Sequence, residues 1–350
     1  MPSSGGPLRL RISVLLCNYN DARYLPESLG AICQQTVLPD EVIVVDDGST
    51  DDSVRVIEAF AARYPFVRLL RNVKNRGLLA SIRRALDEAS GDYVVWAAAD
   101  DRLLPVFLER SLEILVRHPG AGVCFSRLAT FDDATYAVRE YLGDAATGPA
   151  FDLGATPHFL TVEALRARLA RSYLWMSGNT VLARRAALIE SGGFRPELRW
   201  HADWFAYYVI ALRHGACVVP ETLAHMRERP ATFSRSGMGS SRTQYRVLRA
   251  LATVLSEPAY RDVARAVRER PCLLSPFGRL MLGALAASPR TWSLAWRYLH
   301  WALDHHASIH GGRAAGATNR ARAHMARVAG FTLRLAALAV DTMTPRAWKT

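Results

Sequence analysis

Apolar segments alternate with amphipathic segments through the first hundred residues of the chain. The apolar segments have the length and the β-branched content of buried strands, and the first shows no alternating polar face, as expected for a parallel strand covered on both sides. They are 12–16, 42–45, 67–70 and 93–99. The segments between them, 21–35, 51–64 and 78–89, have helical spacing, and Ser49 or Thr50 could cap the second of these helices. Four such βα units predict an α/β fold with a doubly wound, mostly parallel sheet and flanking helices.

Polar residues follow these strands at their carboxyl ends, where an open α/β sheet binds its ligands. Asp46-Asp47 follow the second strand and Asp100-Asp101 follow the fourth. Two adjacent carboxylates favour a divalent cation that bridges to phosphate oxygens. The alternative is structural, with Asp100 capping the next helix and Asp101 in its first turn. Neither a G-x-G-x-x-G turn nor a phosphate-binding G-x-x-x-x-G-K-[ST] loop is present, so the usual dinucleotide and kinase sites are excluded.

A third acid stands in an aromatic setting in the middle of the chain. Asp203 lies between Trp200 and Trp204 at the head of an apolar helical segment. Indole rings exclude water from a carboxylate, which raises its pKa toward that of a general base. The alternative is that Asp203 only caps the helix, and we expect the nearby His201 to lie on the surface.

Positive charge is concentrated in the C-terminal part. His225 to Thr350 carries 20 lysines and arginines against 6 acids, within a chain whose formal charge is +12. The segment 227–244 is rich in Arg, Ser and Gly, which predicts a mobile element: either a basic lid over a diphosphate, with Arg227 and Arg229 as candidates, or a plain linker. No run of five basic residues occurs, so we expect no nucleic acid partner.

The C-terminal segment 244–340 has a helical pattern. Trp292, Trp296, Leu299 and Leu303 fall on one helical face. Such a stripe either packs into the core, which we favour, or lies on an anionic membrane surface. No apolar run reaches eighteen residues and no signal peptide is apparent, so we expect a cytoplasmic protein, or one peripheral to the inner face of the plasma membrane. Five scattered cysteines favour reduced core thiols.

The order and spacing of several motifs are similar to those of family 2 glycosyltransferases. The matching stretches are Ile12-Ser-Val-Leu-Leu-Cys-Asn-Tyr-Asn20, Val44-Val-Asp-Asp-Gly-Ser-Thr-Asp51, Asn75-Arg-Gly77, Gly91-Asp-Tyr93, Ala99-Asp-Asp101, Ser177-Gly-Asn-Thr180, Gly192-Gly-Phe194 and His201-Ala-Asp203. The resemblance covers about residues 9–229. It implies a GT-A fold and an inverting enzyme, with a glycosyltransferase domain over 1–227 and a basic helical region over 228–350. Within the first, a donor half spans about 9–120 and an acceptor half about 121–227.

The resemblance also implies roles for individual residues. Asp47 would recognise the base of a nucleoside diphosphate sugar, Asp100 would hold Mg²⁺ or Mn²⁺ with Asp101 beside it, and Asp203 would be the base. Cys17, Tyr19, Asn75 and Arg76 would complete the donor pocket, and Gly178, Asn179 and Trp204 would lie toward the sugar and the acceptor. The chain departs from the pattern at Ala98 and Ala99, where many relatives carry another acid, and at Arg229, where some carry a histidine.

We therefore expect sugar transfer from a nucleoside diphosphate sugar to a hydroxyl of a saccharide or lipid-linked acceptor, in polysaccharide or glycoconjugate synthesis. Two alternatives stay open. One is a non-catalytic nucleotide-sugar-binding or assembly subunit of the same fold, which the alanines at 98 and 99 allow. The other is a sugar-phosphate nucleotidyltransferase, which would release pyrophosphate.

Overall fold

The computed structural model describes residues 9–140, 151–170, 172–174, 176, 178–229 and 233–310, with backbone only for 234–236 and 305–310. Two compact units divide these residues. The first takes up 9–140, 151–168 and 174–236, and the second takes up 169–173 and 237–310.

A ten-stranded sheet forms the centre of the first unit. Its strands in chain order are β1 (Ile12–Asn18), β2 (Glu41–Asp46), β3 (Val67–Arg71), β4 (Tyr93–Ala98), β5 (Arg102–Leu103), β6 (Val123–Asp132), β7 (Val138–Glu140), β8 (His158–Leu160), β9 (Val181–Arg184) and β10 (Ala216–Glu228). The spatial order is β3-β2-β1-β4-β9-β6-β10-β5, with β7 paired to β6 and β8 to β10. The first four strands run parallel, as predicted, and β9 is antiparallel to both of its neighbours.

Helices connect the parallel strands and cover the sheet. They are α1 (Leu25–Cys33), α2 (Ser53–Arg63), α3 (Leu78–Glu88), α4 (Phe107–Leu115), α5 (Val162–Leu169), α6 (Arg185–Glu190), α7 (Ala202–His214) and α8 (Phe233–Met238). In α3 the buried residues Leu79, Ile82 and Leu86 recur at helical spacing, so one face packs on the sheet. Strand residues such as Val14 and Val44 are fully buried among them. The predicted α/β fold is confirmed.

The second unit is helical in its described part. It contains α9 (Ser241–Val254), α10 (Arg261–Glu269), α11 (Gly278–Ala286) and α12 (Trp292–His310), with short 3₁₀ turns before α10, α11 and α12. Leu299 is buried, but Trp292 and Trp296 are 44% and 48% exposed. The expected core packing of the stripe is therefore wrong for the two tryptophans, because they lie at the outer face of α12. None of the described helices combines the length and the apolarity that crossing a membrane requires.

Two local predictions are corrected. The segment 227–244 was expected to be mobile throughout, but β10 runs to Glu228 and helices occupy 233–238 and 241–254. Ser49 and Thr50 were natural caps for the second helix by sequence, yet α2 begins after Asp52 and has no side-chain cap. Ser49 instead accepts a hydrogen bond from the Asn20 backbone N–H at 3.0 Å. The predicted helical pattern beyond residue 310 lies outside the described residues.

Candidate active site

Asp47 stands at the carboxyl end of β2 and organises the loop that precedes α3. Its Oδ1 accepts hydrogen bonds from Asn72 Nδ2 at 2.7 Å and from the Arg76 N–H at 2.9 Å, and its Oδ2 accepts from the Gly77 N–H at 2.8 Å. The side chain is buried. Gly48 has φ +78°, and a Cβ there would lie 2.7 Å from the Lys74 carbonyl carbon, so a glycine is required. Asp47 thus holds the loop 72–77 against the turn 46–49.

The other predicted donor residues surround this turn. Asn75 and Arg76 are exposed on the loop, and Tyr19 is 46% exposed after β1. Cys17 is buried in β1 between Val45 of β2 and Ala98 of β4, and burial, with the nearby charge of Asp47, raises the pKa of its thiol. Its thiol is therefore protonated. The structure brings Tyr19, Asp47 and the 75–76 loop to one edge of the sheet.

Asp101 is fixed inside the site. Its Oδ1 accepts from the Arg227 backbone N–H at 2.9 Å, and its Oδ2 accepts from Asn179 Nδ2 at 2.8 Å. Burial and the negative charge of Asp100 raise the pKa of Asp101. Its two oxygens therefore tie the end of β4 to β10 and to the turn at Asn179.

Asp100 instead faces a guanidinium. Its Oδ2 lies 2.7 Å from Arg229 Nε, and the same guanidinium contacts Asp21 through Nη1 at 2.8 Å and Nη2 at 3.2 Å. Burial raises the pKa of Asp100, which the charge of Arg229 opposes. Among the described residues, no group of three or more His, Cys, Asp or Glu side chains could hold a metal ion.

Arg227 is a structural cation. Its side chain is 1% exposed, pairs with Glu27 and with Asp133 at 2.8 Å, and donates from Nε to the Asp100 carbonyl at 2.8 Å. Its guanidinium carbon lies 4.4 Å from the centre of the Phe131 ring. These contacts leave Arg227 unsuited to the predicted lid over a diphosphate. Glu27 and Asp133, which complete its environment, were not predicted, because nothing in their local sequence marks them.

A three-residue 3₁₀ turn, Gly178–Thr180, links Asp203 to Asp101. A Cβ at Gly178 would lie 3.2 Å from the Trp96 carbonyl oxygen and 3.7 Å from Asp203 Oδ2. Asn179 hydrogen-bonds Asp101, as described above, and its own Oδ1 is a buried acceptor with no hydrogen-bond partner among the described residues. The turn therefore carries an acceptor, Asn179 Oδ1, that is unpaired among the described residues and lies near Asp101 and Asp203.

Asp203 lies in the first turn of α7 and is half-buried. Its Oδ1 accepts from the Trp204 N–H at 2.7 Å, and the Gly178 N–H also donates to this carboxylate. Burial outweighs these bonds and raises the pKa of Asp203 to about 6. A carboxylate with that pKa is ionised at neutral pH and basic enough to accept a proton.

Two neighbours of Asp203 differ in environment from what the sequence suggested. His201 is 5% exposed, so the expectation of a surface histidine is wrong; it ends the 3₁₀ turn that precedes α7 and faces inward. Trp204, predicted on the acceptor side, is buried with its ring 4.9 Å from that of Tyr208. Trp96 lies beside Gly178, with its Cγ 3.7 Å from the place of an added Cβ, and packs edge-on against Phe194 at 4.7 Å.

A basic cleft of about 700 Å³ opens beside the 75–77 loop. It runs between α3 and the turn 196–201, and Phe233 closes one side. Its charged lining residues are Arg76, Arg83, Arg84, Arg199 and Asp87. Four arginines against one acid favour an anionic ligand.

The sequence profile described as "Glycosyl transferase family 2" matches residues 13–185, which include β1 to β4, both acidic strand ends and the turn at Gly178. Together with the GT-A sheet, this match shows that the chain belongs to glycosyltransferase family 2.

Relatives extend the similarity beyond the matched segment. Uncharacterized protein Rv1520 of Mycobacterium tuberculosis is 29% identical over 282 residues, covering 79% of this chain and 76% of that protein. S. aureus TarS 1-349 in complex with UDP-GlcNAc superposes with a TM-score of 0.60 at 18% identity, over 86% of this chain and 92% of that one. GalNAc-T7 with UDP, GalNAc and Mn²⁺ superposes with a TM-score of 0.54 at 17% sequence identity, over 77% of this chain and 52% of that one. These structures share the fold of this protein.

Proposed function

We propose that this protein transfers a sugar, with inversion, from a nucleoside diphosphate sugar to an acceptor hydroxyl, with Asp203 as the general base. The observation that carries the proposal is the turn Gly178–Thr180, which contacts Asp203 through Gly178 and Asp101 through Asn179. A predicted base and the predicted diphosphate side of the site thus meet at one short element. The Oδ1 of Asn179 is buried and has no hydrogen-bond partner among the described residues, so a sugar hydroxyl would reach it only after the turn shifts.

The chemical step follows from these positions. The acceptor oxygen forms a bond to the anomeric carbon while its proton passes to Asp203. The bond from that carbon to the β-phosphate oxygen breaks, and its electron pair leaves with the diphosphate. Only one carboxylate is required, whereas a glycosidase needs two opposed carboxylates. The half-buried setting that raises the pKa of Asp203 also favours proton transfer near neutral pH.

The donor base belongs to the edge formed by Tyr19, Asp47 and the 75–76 loop. The side chains of Tyr19 and Arg76 are exposed there, where an aromatic ring and a guanidinium are able to stack on a base. Both oxygens of Asp47 already accept bonds from the loop, so recognition of the base by Asp47 requires its remaining lone pairs or a rearranged loop. Substituting Asp47 would in either case disturb the donor pocket.

The predicted Mg²⁺ or Mn²⁺ fits this site poorly, although Mn²⁺ accompanies UDP in the GalNAc-T7 structure. Asp100 is paired with Arg229, both oxygens of Asp101 accept hydrogen bonds within the protein, and residue 98 is an alanine. Mg²⁺ is usually held through one or two carboxylates as well as substrate phosphates. Here Asp100 would have to give up its contact with Arg229, and Asp101 a hydrogen bond to the Arg227 backbone N–H or to Asn179.

For the acceptor, we propose a saccharide or lipid-linked saccharide that carries phosphate or carboxylate groups. The basic cleft supports this class, because Arg83 and Arg199 line it and are exposed. If the class is right, anionic acceptors will be used in preference to their neutral counterparts, and R83Q with R199Q will remove that preference while donor affinity stays unchanged. Equal use of neutral acceptors by the wild type would contradict the assignment.

A lipid-linked acceptor and a cytoplasmic location would agree with peripheral membrane contact through the second unit. Trp292 and Trp296 are exposed on α12, and arginines at 290 and 297 lie close to them in sequence. Aromatic residues with arginines favour an anionic membrane surface. Sedimentation with anionic vesicles at low salt tests this contact: the wild type should bind, and W292S with W296S should bind less. Wild-type protein that stays in the supernatant would exclude it.

The experiment for the central proposal is release of nucleoside diphosphate from a panel of sugar nucleotides, with saccharide acceptors. The wild type should release diphosphate from at least one donor. The rate of D203N should be about 10²- to 10⁴-fold lower than that of the wild type, which is the usual contribution of a general base. D52N is the matched control, because Asp52 is exposed and, within the described part of the chain, its carboxylate pairs with Arg55. Binding of sugar nucleotides without turnover would favour the non-catalytic alternative, and release of pyrophosphate would favour nucleotidyl transfer.

A further inference from the structure

Arg229 occupies a position in the proposed donor site that calls for an explanation. It follows the end of β10, and its side chain is 21% exposed. Asp21 accepts hydrogen bonds from both Nη atoms, and Asp100 Oδ2 lies 2.7 Å from Nε. The guanidinium is therefore in contact with two acids. The Tyr24 ring covers it, with its centre 4.9 Å from the guanidinium carbon. A long surface arginine is rarely fixed at so many points.

The contacts with Asp21 and Asp100 leave part of the guanidinium available to a ligand. Arginine carries five N–H groups. Asp21 accepts one N–H from Nη1 and one from Nη2, which are the parallel pair at the end of the guanidinium, and Nε lies 2.7 Å from Asp100 Oδ2 without forming a hydrogen bond. The second N–H groups of Nη1 and Nη2 point away from each other, so each is able to donate to a single phosphate oxygen. The charge of the guanidinium and one such N–H are therefore available to a ligand beside Asp100.

A metal ion on Asp100 would conflict with this arrangement. A divalent cation bound to the Asp100 carboxylate would replace Arg229 Nε and would stand beside a guanidinium that Asp21 still holds through two contacts. The two like charges would repel at short range in a partly buried site. Residue 229 is also an arginine, which offers no lone pair to a metal.

Resting on the proposed function, we propose that the Arg229 guanidinium supplies the cation that faces the donor diphosphate, in place of a divalent metal ion. When the bond from the anomeric carbon to the β-phosphate oxygen breaks, the electron pair goes to that oxygen, and the Arg229 guanidinium faces the developing charge with one N–H that Asp21 does not take. Preorganised donors aimed at developing charge are an effective source of catalysis. Asp21 and Asp100 act as positioning residues for the guanidinium.

The test is binding of nucleoside diphosphates by calorimetry, in chelator and in Mn²⁺ or Mg²⁺, for the wild type and for residue 229 variants. Wild-type affinity should be the same in chelator and in metal. R229Q should weaken diphosphate binding by about 10- to 100-fold, the equivalent of one charge-assisted hydrogen bond or slightly more. R229K should recover part of it. R23Q, which alters an exposed arginine of the same region, should bind as the wild type does.

Two readouts separate loss of the cation from loss of the fold. The unphosphorylated nucleoside should bind R229Q and the wild type equally, since it lacks the group that Arg229 contacts. D21N should weaken diphosphate binding, because the guanidinium loses the contacts that position it, and should leave binding of the unphosphorylated nucleoside unchanged.

Wild-type binding that disappears in chelator and returns with Mn²⁺ would overturn the inference while leaving the proposed function intact. R229Q that binds diphosphate as tightly as the wild type would also overturn it. If no nucleoside diphosphate or sugar nucleotide binds under any condition, the proposed function fails and the inference fails with it.

Discussion

Replacing Asp203 with asparagine should make the enzyme slower and the protein more stable at neutral pH. Burial holds the pKa of Asp203 at about 6, against 3.8 for the unperturbed side chain. Each unit of difference corresponds to about 1.4 kcal/mol, so the ionised carboxylate costs the folded state about 3 kcal/mol at pH 7. Asparagine has nearly the same shape and carries no charge, and it removes that cost.

The sign of the pH dependence follows from the direction of the shift. A carboxyl whose pKa is raised by folding binds its proton more tightly in the native state than in the unfolded chain. Its contribution to stability is therefore most favourable below pH 3.8 and is lost as the pH rises through 6. The advantage of D203N should be near its full value at pH 7 and should vanish below about pH 4, the lower limit of the window.

Two assays measure the two sides of this prediction. Urea unfolding of the wild type and D203N at several pH values gives the stability difference, since a shift in midpoint at constant slope reports stability alone. The pH dependence of kcat/KM gives the pKa of the base in the free enzyme. Wild-type kcat/KM should fall about tenfold for each pH unit below 6, because only the ionised carboxylate accepts a proton.

The prediction has a clear refutation. If D203N were less stable than the wild type at pH 7, the carboxylate would be satisfied by its hydrogen bonds to the Trp204 and Gly178 N–H groups, and its pKa would not be raised. If the variant kept the wild-type rate, another group would be the base. D52N, with an exposed Asp, should change neither stability nor rate.

Three further changes test other parts of the site. G178A should lower transfer activity by about tenfold or more, because its Cβ would lie 3.2 Å from the Trp96 carbonyl oxygen and 3.7 Å from Asp203 Oδ2. Small shifts of a catalytic group lower the rate strongly. A transfer rate equal to that of the wild type would show that the turn tolerates a methyl group. R227M should lower the free energy of unfolding by about 1 to 3 kcal/mol, because it removes the ion pairs of a buried guanidinium with Glu27 and Asp133, although Arg102 still pairs with Glu27 and the Tyr24 hydroxyl still donates to Asp133. R23Q should cost under about 1 kcal/mol in the same denaturation experiment, and equal effects would mean that Arg227 is not a structural cation. G48A should destabilise the protein by about 1 kcal/mol or more, because φ is +78° and the new Cβ would lie 2.7 Å from the Lys74 backbone; an unchanged midpoint in thermal unfolding would contradict this.

The fold could be predicted from the sequence because its signals are local. Buried strands of four to seven residues and helices with apolar residues at helical spacing are visible in any short window, and β1 to β4 lie within a few residues of their predicted bounds. The acids at the ends of β2 and β4 were also located correctly, since the carboxyl ends of parallel strands share one edge of the sheet.

The partners of these acids could not be predicted, because they are distant in sequence. Arg227 meets Glu27 across 200 residues and Arg229 meets Asp21 across 208, and no local pattern announces either pair. The region that holds both arginines was interpreted as mobile on composition alone. Arginine, serine and glycine are typical of such segments, but here the ion pairs of Arg227 and the pairing of β10 with β6 fix the chain.

Side-chain exposure was the second weak point. Trp292 and Leu299 follow the same helical spacing, yet only Leu299 is buried, since periodicity identifies a helical face without identifying what covers it. His201 shows the converse, because a polar residue between a tryptophan and an acid has no apolar pattern of its own and is nevertheless buried.

The most direct test of sugar transfer with inversion by Asp203 uses an α-linked sugar nucleotide as the donor, either with an acceptor or with water in place of the acceptor. Proton NMR reports the anomeric configuration of the sugar product before it equilibrates. The wild type should give a β-configured product and free nucleoside diphosphate, and D203N should give almost none of either. An α-configured product, or turnover by D203N at the wild-type rate, would contradict this prediction.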